Sequence, residues 1–240
     1  MKVKLLSIKD SDLLCFDESD IIFYMSFLYT SLPLSDEDKH IAVADLLHNA
    51  VPNRDFYILV VGAILLALGG IFTDSIPVLI ASMIVAPLMY PILATGLGVV
   101  VGDIKIVLRS LGMLLVSLVL AIGIAFIITH FFPILRIENT FISFGGSEIM
   151  SIAIAVISGV IATYGLVRSK VGGAMTGIGI AVSLMPPLVA TGIGIAENNF
   201  TLSYDAFVIF LLNFIGILLA SVITFAFMGI GHTYHDMHKK

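Results

Sequence analysis

Four prolines fall where an apolar helix would have no polar atom to spare: Pro87 and Pro91 within SMIVAPLMYPILATGLG (82–98), and Pro186-Pro187 within IGIAVSLMPPLVATGIG (178–194). Proline has no amide N–H, and its ring clashes with the carbonyl four residues earlier. Pro87 thus frees the Met83 carbonyl, Pro91 that of Pro87, Pro186 that of Val182 and Pro187 that of Ser183. Ala86, Tyr90 and Pro186, each followed by a proline, are also biased away from helix. Orphan carbonyls in hydrocarbon cost several kcal/mol each and persist only inside protein or beside a watery cavity. Exposed carbonyls suit a cation such as Na⁺. The N-terminal amides of helices restarting near Pro91 and Pro187 suit an anionic group. Thr95 and Thr191 add hydroxyls about one turn inside those helices, and Asn213 is the most polar side chain deep in an apolar run. The candidate solute or ion site therefore comprises Met83, Pro87, Pro91, Thr95, Val182, Ser183, Pro187, Thr191 and Asn213.

Each feature has a plainer reading. Mid-span prolines often only bend membrane helices. The threonine hydroxyls can bond back to the carbonyl four residues earlier, and Asn213 can hold two helices together. Gly96, Gly98, Gly192 and Gly194, with Gly98-x-x-x-Gly102 and Gly173-x-x-x-Gly177, are read as helix-packing residues. A proline pair at matching places in two related segments favours a site over a kink.

Other chemistry is sparse. No ionisable side chain lies near the middle of an apolar run, which disfavours a proton relay. There is no H-E-x-x-H and no acidic pair on one helical face, so a metallopeptidase is not expected. His130 lies at the end of its run beside Phe131 and Phe132, a placement that suits the membrane interface better than a catalytic base. His232, His235 and His238 are read as a solvated tail, not a metal site. The chain is not expected to be an enzyme, and no cofactor is expected beyond a coupling ion.

The elements that must position these residues follow from composition. Hydrophobic residues make up 59 % of the 240, charged residues only 12 %, and the mean hydropathy is +1.10, far from the ~25 % charge of a soluble domain. The first 55 residues hold ten of the seventeen acidic groups and five of the twelve basic ones. That separates a small N-terminal region (1–52) from a membrane domain (53–231) and a His/Lys tail (232–240). The net charge of −5, without a Lys/Arg stripe, argues against a nucleic-acid partner. The lone Cys15 suits a reducing compartment. MKVKLLSIKDSD is too short an apolar run for a signal peptide. Residues 2–8 and 21–30 read as two short strands about an acidic turn, an α/β-like region. A helix is predicted from near Ser35, with Ile41, Ala44, Leu47 and Val51 on one face, ending before Pro52.

Six apolar runs, near 56–73, 76–101, 106–132, 149–167, 171–195 and 206–231, are each long enough to span a bilayer. With six spans, Lys39, Arg54, Lys105, Arg109, Arg168, Lys170, Lys239 and Lys240 share one side, against Arg136 on the other. The excess of positive residues places both termini in the cytoplasm of a multi-pass cell-membrane protein. At an offset of ninety-six, residues 82–98 and 178–194 share Ile84/Ile180, Leu88/Leu184, Met89/Met185, Pro91/Pro187, Ala94/Ala190, Thr95/Thr191, Gly96/Gly192 and Gly98/Gly194. The offset also pairs Gly69 with Gly165, Asp103 with Asn199 and Ser117 with Asn213. Two units of three spans (54–133 and 149–231) must enter the membrane from opposite sides, so the expected fold is all-α. It has six transmembrane helices in two inverted repeats, with spans two and five broken at the prolines.

The A-P-L-M-x-P-I core of Ser75–Asp103 and the later S-L-M-P-P-L-V-A-T-G-I-G resemble the uncharacterised hydrophobic domain family of prokaryotic membrane proteins, domain of unknown function 389. The similarity covers about residues 52–231. It implies an integral membrane domain, sometimes preceded by a soluble region, and no biochemical activity. From the residues themselves, the expected function is transport of a small solute or ion through a midplane site. The alternatives are an ion channel of the same architecture, or a membrane-anchored scaffold whose N-terminal region binds a cytosolic partner. The expected partners are the lipid bilayer, the solute or ion and, through the small-residue motifs, further copies of the chain.

Overall fold

The computed structural model describes residues 36–132, 148–167, 184–231 and 234. The strands expected within 2–30, the first half of the fifth apolar run with Val182 and Ser183, and the three tail histidines lie outside them. All regular structure among the described residues is helical: α1 (Asp36–Asn49), α2 (Arg54–Phe72), α3 (Ile76–Val85), α4 (Met89–Val101), α5 (Ile104–Phe131), α6 (Glu148–Val167), α7 (Met185–Ala196) and α8 (Phe200–Phe227). Helices α2, α5, α6 and α8 are long and apolar enough to cross a bilayer; α3 and α4, bent 45° apart, pass the same test as a pair.

Local chemistry sets the ends. Asn53 caps α2, its side chain accepting from the Phe56 amide at 2.7 Å, as suits an Asx residue before an apolar run. At the far end the Thr73 hydroxyl donates to the Gly69 carbonyl, and Ser75 N–H to the Gly70 carbonyl at 2.9 Å. Gly70 is required by this tight hairpin, since a Cβ there would lie 2.8 Å from Leu79 Cγ and 2.9 Å from its amide nitrogen. Helix α1 buries Ala42, Val43, Leu46 and Ala50 and packs on α4 and α6. This corrects the predicted face: Ile41 is 54 % exposed. Residues 41–44 are all apolar, so two adjacent stripes compete and only packing selects between them.

The turn that follows α4 recurs after α7. Asp103 N–H donates to Gly98 O at 3.0 Å and Gly102 N–H to Val99 O at 3.4 Å; Asn199 N–H donates to Gly194 O at 2.8 Å and Asn198 N–H to Ile195 O at 3.2 Å. Gly102 (φ 73) and Asn198 (φ 56) both take the left-handed conformation, the usual way to close a helix and reverse direction. Asp103 caps α5 by accepting from Lys105 N–H at 2.9 Å, and Asn199 caps α8 by accepting from Leu202 N–H at 3.1 Å. Apart from the donors Lys105 and Leu202, these pairs stand ninety-six residues apart. The long helices match as well, both of 28 residues, running from Ile104 and from Phe200.

The core is built around the two short helices. Every residue from Pro91 to Gly98 and from Leu184 to Gly194 is buried, the condition of a helix that is apolar all round. Helix α4 packs on α5 and α8, and α7 on α8 and α5. Helix α8 sends Phe200, Tyr204, Leu211, Ile215, Leu219, Ile223 and Phe227 outward along one stripe, which in a membrane meets acyl chains.

Candidate functional site

The site begins with the interruption of the second apolar run. Helix α3 ends at Val85, where the Ala86 amide still reaches Ser82 O at 3.1 Å. Ala86 then turns extended (φ −66°, ψ 116°), the bias of a residue before proline, whereas Tyr90 and Pro186, expected to avoid helix for the same reason, lie in the first turns of α4 and α7. Helix α4 starts at Met89 and α7 at Met185. Pro91 and Pro187 are thus the third residues of their helices, not the first as predicted. Amides in the first turn have no intrahelical partner, so proline there loses no bond. The removed donors are nonetheless lost to any ligand: one from the first turn of α4, and two, at Pro186 and Pro187, from that of α7. Neither Leu88 nor Leu184 offers a side-chain cap.

Thr95 is 2 % exposed and Thr191 4 %. Their hydroxyls donate to the Pro91 and Pro187 carbonyls, each at 2.8 Å. Both protons are therefore committed to the backbone, and only oxygen lone pairs remain to meet a solute. Ser203 Oγ donates to the Thr191 carbonyl at 3.1 Å, tying α8 to α7.

Glycine brings these threonines against the long helices. A Cβ on Gly96 would strike the Ser221 hydroxyl, and one on Gly192 would lie 2.5 Å from Ile122 O and 2.7 Å from Ala125 Cβ. Ala125 and Ser221 are themselves ninety-six apart. The same holds one turn on: Gly98 abuts Val107, and Gly194 abuts Ser203. The packing reading of all four glycines fits these contacts.

Met83 and Pro87 are half-buried at the interruption, while Pro91 and Pro187 are buried. Asn213 and its offset partner Ser117 are buried at 8 % and 1 % exposure, and Ser117 bonds back to Met113 O at 2.8 Å. Thr95, Thr191, Asn213 and Ser117 are each buried, on α4, α7, α8 and α5. The two half-helices share no extensive contact; each lies between the long helices, and α7 also touches α3. His130 is exposed, stacked on Phe126 and edge-on to Phe131, as an interfacial ring would be.

Sequence reasoning passed over a second polar cluster, where α1, the start of α5 and Tyr234 meet. The Tyr234 hydroxyl donates to Asp103 Oδ2 at 3.0 Å. This bond, with the Lys105 amide on the same carboxylate, holds Asp103 below the usual carboxylate range, and burial pushes the Tyr234 phenol up. Asp103 stood out in the sequence only as the offset partner of Asn199; its tyrosine partner, 131 residues on, had no local signal.

Residues 83–219 match the family described as a domain of unknown function, DUF389. The uncharacterised protein MJ0678 of Methanocaldococcus jannaschii is 32 % identical over 178 residues, covering 74 % of this chain and 55 % of that protein. The chain thus spans about half the length of the curated relative it matches. No solved structure matches it. With the paired proline motifs inside the matched region and the likeness extending over three quarters of its length, the chain belongs to the DUF389 family.

Proposed function

We propose that this chain is a multi-pass transport protein that moves a small ion, most readily a cation, past a site near the bilayer midplane flanked by two proline-broken spans. The observation that carries this reading is the pair of buried half-helices, α4 and α7, which start, cap and pack alike at an offset of ninety-six residues. A lipid anchor needs no matched interruptions, and their orphan acceptors cost stability. The preference for a cation rests on the polar inventory. Prolines delete donors and both threonine protons are engaged, so the hydroxyl oxygens can only accept or coordinate.

Six crossings and inverted repeats are supported by parity. Leu47 of α1, Ile106 of α5 and Tyr234 after α8 border one cavity, so they share one end of the bundle. From α1 to α5 there are then an even number of crossings, α2 and the bent pair α3–α4, which argues against a re-entrant loop. From Ile106 to Tyr234 the helices α5, α6 and α8 supply three crossings, so a shared end calls for a fourth between α6 and α8. The cytoplasmic assignment of that end comes from the positive residues.

The test is reconstitution of the full chain in vesicles, with thermal unfolding in detergent across Na⁺, K⁺, divalent cations and small anions. A cation is expected both to raise the unfolding temperature and to move with its gradient. Flux at channel rates would assign the same site to a pore. Vesicles without flux, from protein that no ion stabilises, would overturn the transport reading.

A further inference from the structure

At the end of the bundle assigned above to the cytoplasm, a cavity of about 150 Å³ opens between α1 and α5, lined by Leu47, Ala50, Ile106, Arg109, Ser110 and Tyr234. The polar part of its wall, the smaller part, is unspent. Ser110 is 1 % exposed, yet among the described residues its hydroxyl meets no hydrogen-bond partner. Arg109 is exposed and, among the described residues, forms no ion pair. A hydroxyl left unmatched on a cavity wall costs free energy unless something there completes it, and its place beside a guanidinium points to a ligand that does so. Tyr234 turns its own hydroxyl away, to Asp103, and Asp103 does not line the cavity. Among the described residues no carboxylate lines the space. Leu47, Ala50 and Ile106 make the rest of the wall apolar.

We propose that this cavity binds a phosphate-class oxyanion, held by Arg109 and Ser110 between α1 and α5. Guanidinium offers paired donors that match two oxygens of such a group, and the serine hydroxyl supplies a third from the buried side. The volume equals roughly five waters at ~30 Å³ each, room for one such anion. The location at the membrane edge admits two sources: free phosphate in solution, or the phosphate of a lipid whose first carbons lie along Leu47 and Ile106. Bound there, the anion links α1 to the first turns of α5.

The experiment uses the full chain in detergent, following thermal unfolding at constant ionic strength. One arm titrates inorganic phosphate against chloride; the other titrates short-chain phosphatidic acid against diacylglycerol with the same acyl chains. Stabilisation in the first arm assigns free phosphate, and stabilisation confined to the second assigns a lipid. In either case Arg109→Lys, which keeps the positive charge that orients the chain, should weaken the effect roughly ten-fold. Ser110→Ala should weaken it as well, while leaving the ligand-free unfolding temperature unchanged or higher, since it removes an unmatched hydroxyl; a structural serine would lower it. No stabilisation in either arm, or equal stabilisation of the parent and both variants, would overturn the proposal.

Discussion

Thr95 and Thr191 answer to two demands at once. Each donates its proton to a proline carbonyl at 2.8 Å and keeps its lone pairs. Replacing either by valine preserves shape and removes one buried hydrogen bond, a loss of about 1 kcal/mol. Serine keeps the oxygen and should recover most of it. If the oxygen also coordinates the transported cation, Thr95→Val or Thr191→Val should weaken cation binding roughly ten-fold, as read from ion-dependent thermal stabilisation. A lower melting temperature with unchanged affinity in both single variants and the double variant would confine these hydroxyls to back-bonding. The freed backbone carbonyls would then be left as the ligands.

At the scale of the element, the interhelical contacts of α4 and α7 differ in how far they can yield. A methyl on Gly192 would press on the backbone carbonyl of Ile122 and on Ala125 Cβ, neither of which can rotate away. A methyl on Gly96 would meet a serine side chain, whose hydroxyl now donates to Leu218 O and can swing aside. Gly192→Ala is therefore expected to lower stability by about 1–3 kcal/mol, the range for overpacking, and Gly96→Ala by less. Adding Ser221→Ala should recover part of the Gly96→Ala loss and none of the Gly192→Ala loss. Thermal unfolding of the four variants checks this, and equal losses at the two glycines would contradict it. These elements were partly legible beforehand because proline and glycine act locally: an interruption near the prolines of 82–98 and the packing role of Gly96 and Gly192 were expected from residue type and position, whereas Asp103 and Asn199 stood out only as an offset pair and not as caps. What was not legible depends on distant partners. The buried face of α1 was chosen by α4 and α6 among competing apolar stripes, the starts of α4 and α7 came two residues before Pro91 and Pro187, and Ser110 gave no sign of being an unmatched group in a cavity. Threonine back-bonding was foreseeable as one of two options, and geometry was needed to show that the proton is spent.

For the whole molecule, the repeated turn, the equal long helices and the reciprocal glycine contacts all follow one offset, and under the proposed six crossings two such units of three spans would lie inverted in the bilayer. The exposed apolar stripes of α5, α6 and α8 require lipid on the outside of such a bundle, and the polar ends then decide which way it faces. Single cysteines introduced into the chain, with Cys15 replaced, make the arrangement measurable in intact cells. Thr73→Cys, in the turn between α2 and α3, and Asn139→Cys, between the third and fourth apolar runs, should react with an impermeant thiol reagent from outside. Lys105→Cys, in the first turn of α5, should react only after the membrane is opened. The discriminating site is position 105. If the α3–α4 pair entered and left on one side, Lys105 would share a face with Thr73 and both would label together. Separate labelling of 73 and 105, with 139 joining 73, requires that the bent pair cross the membrane as one span and that α5 cross back. Joint labelling of 73 and 105 would remove both the inverted repeat and the transport site that depends on it.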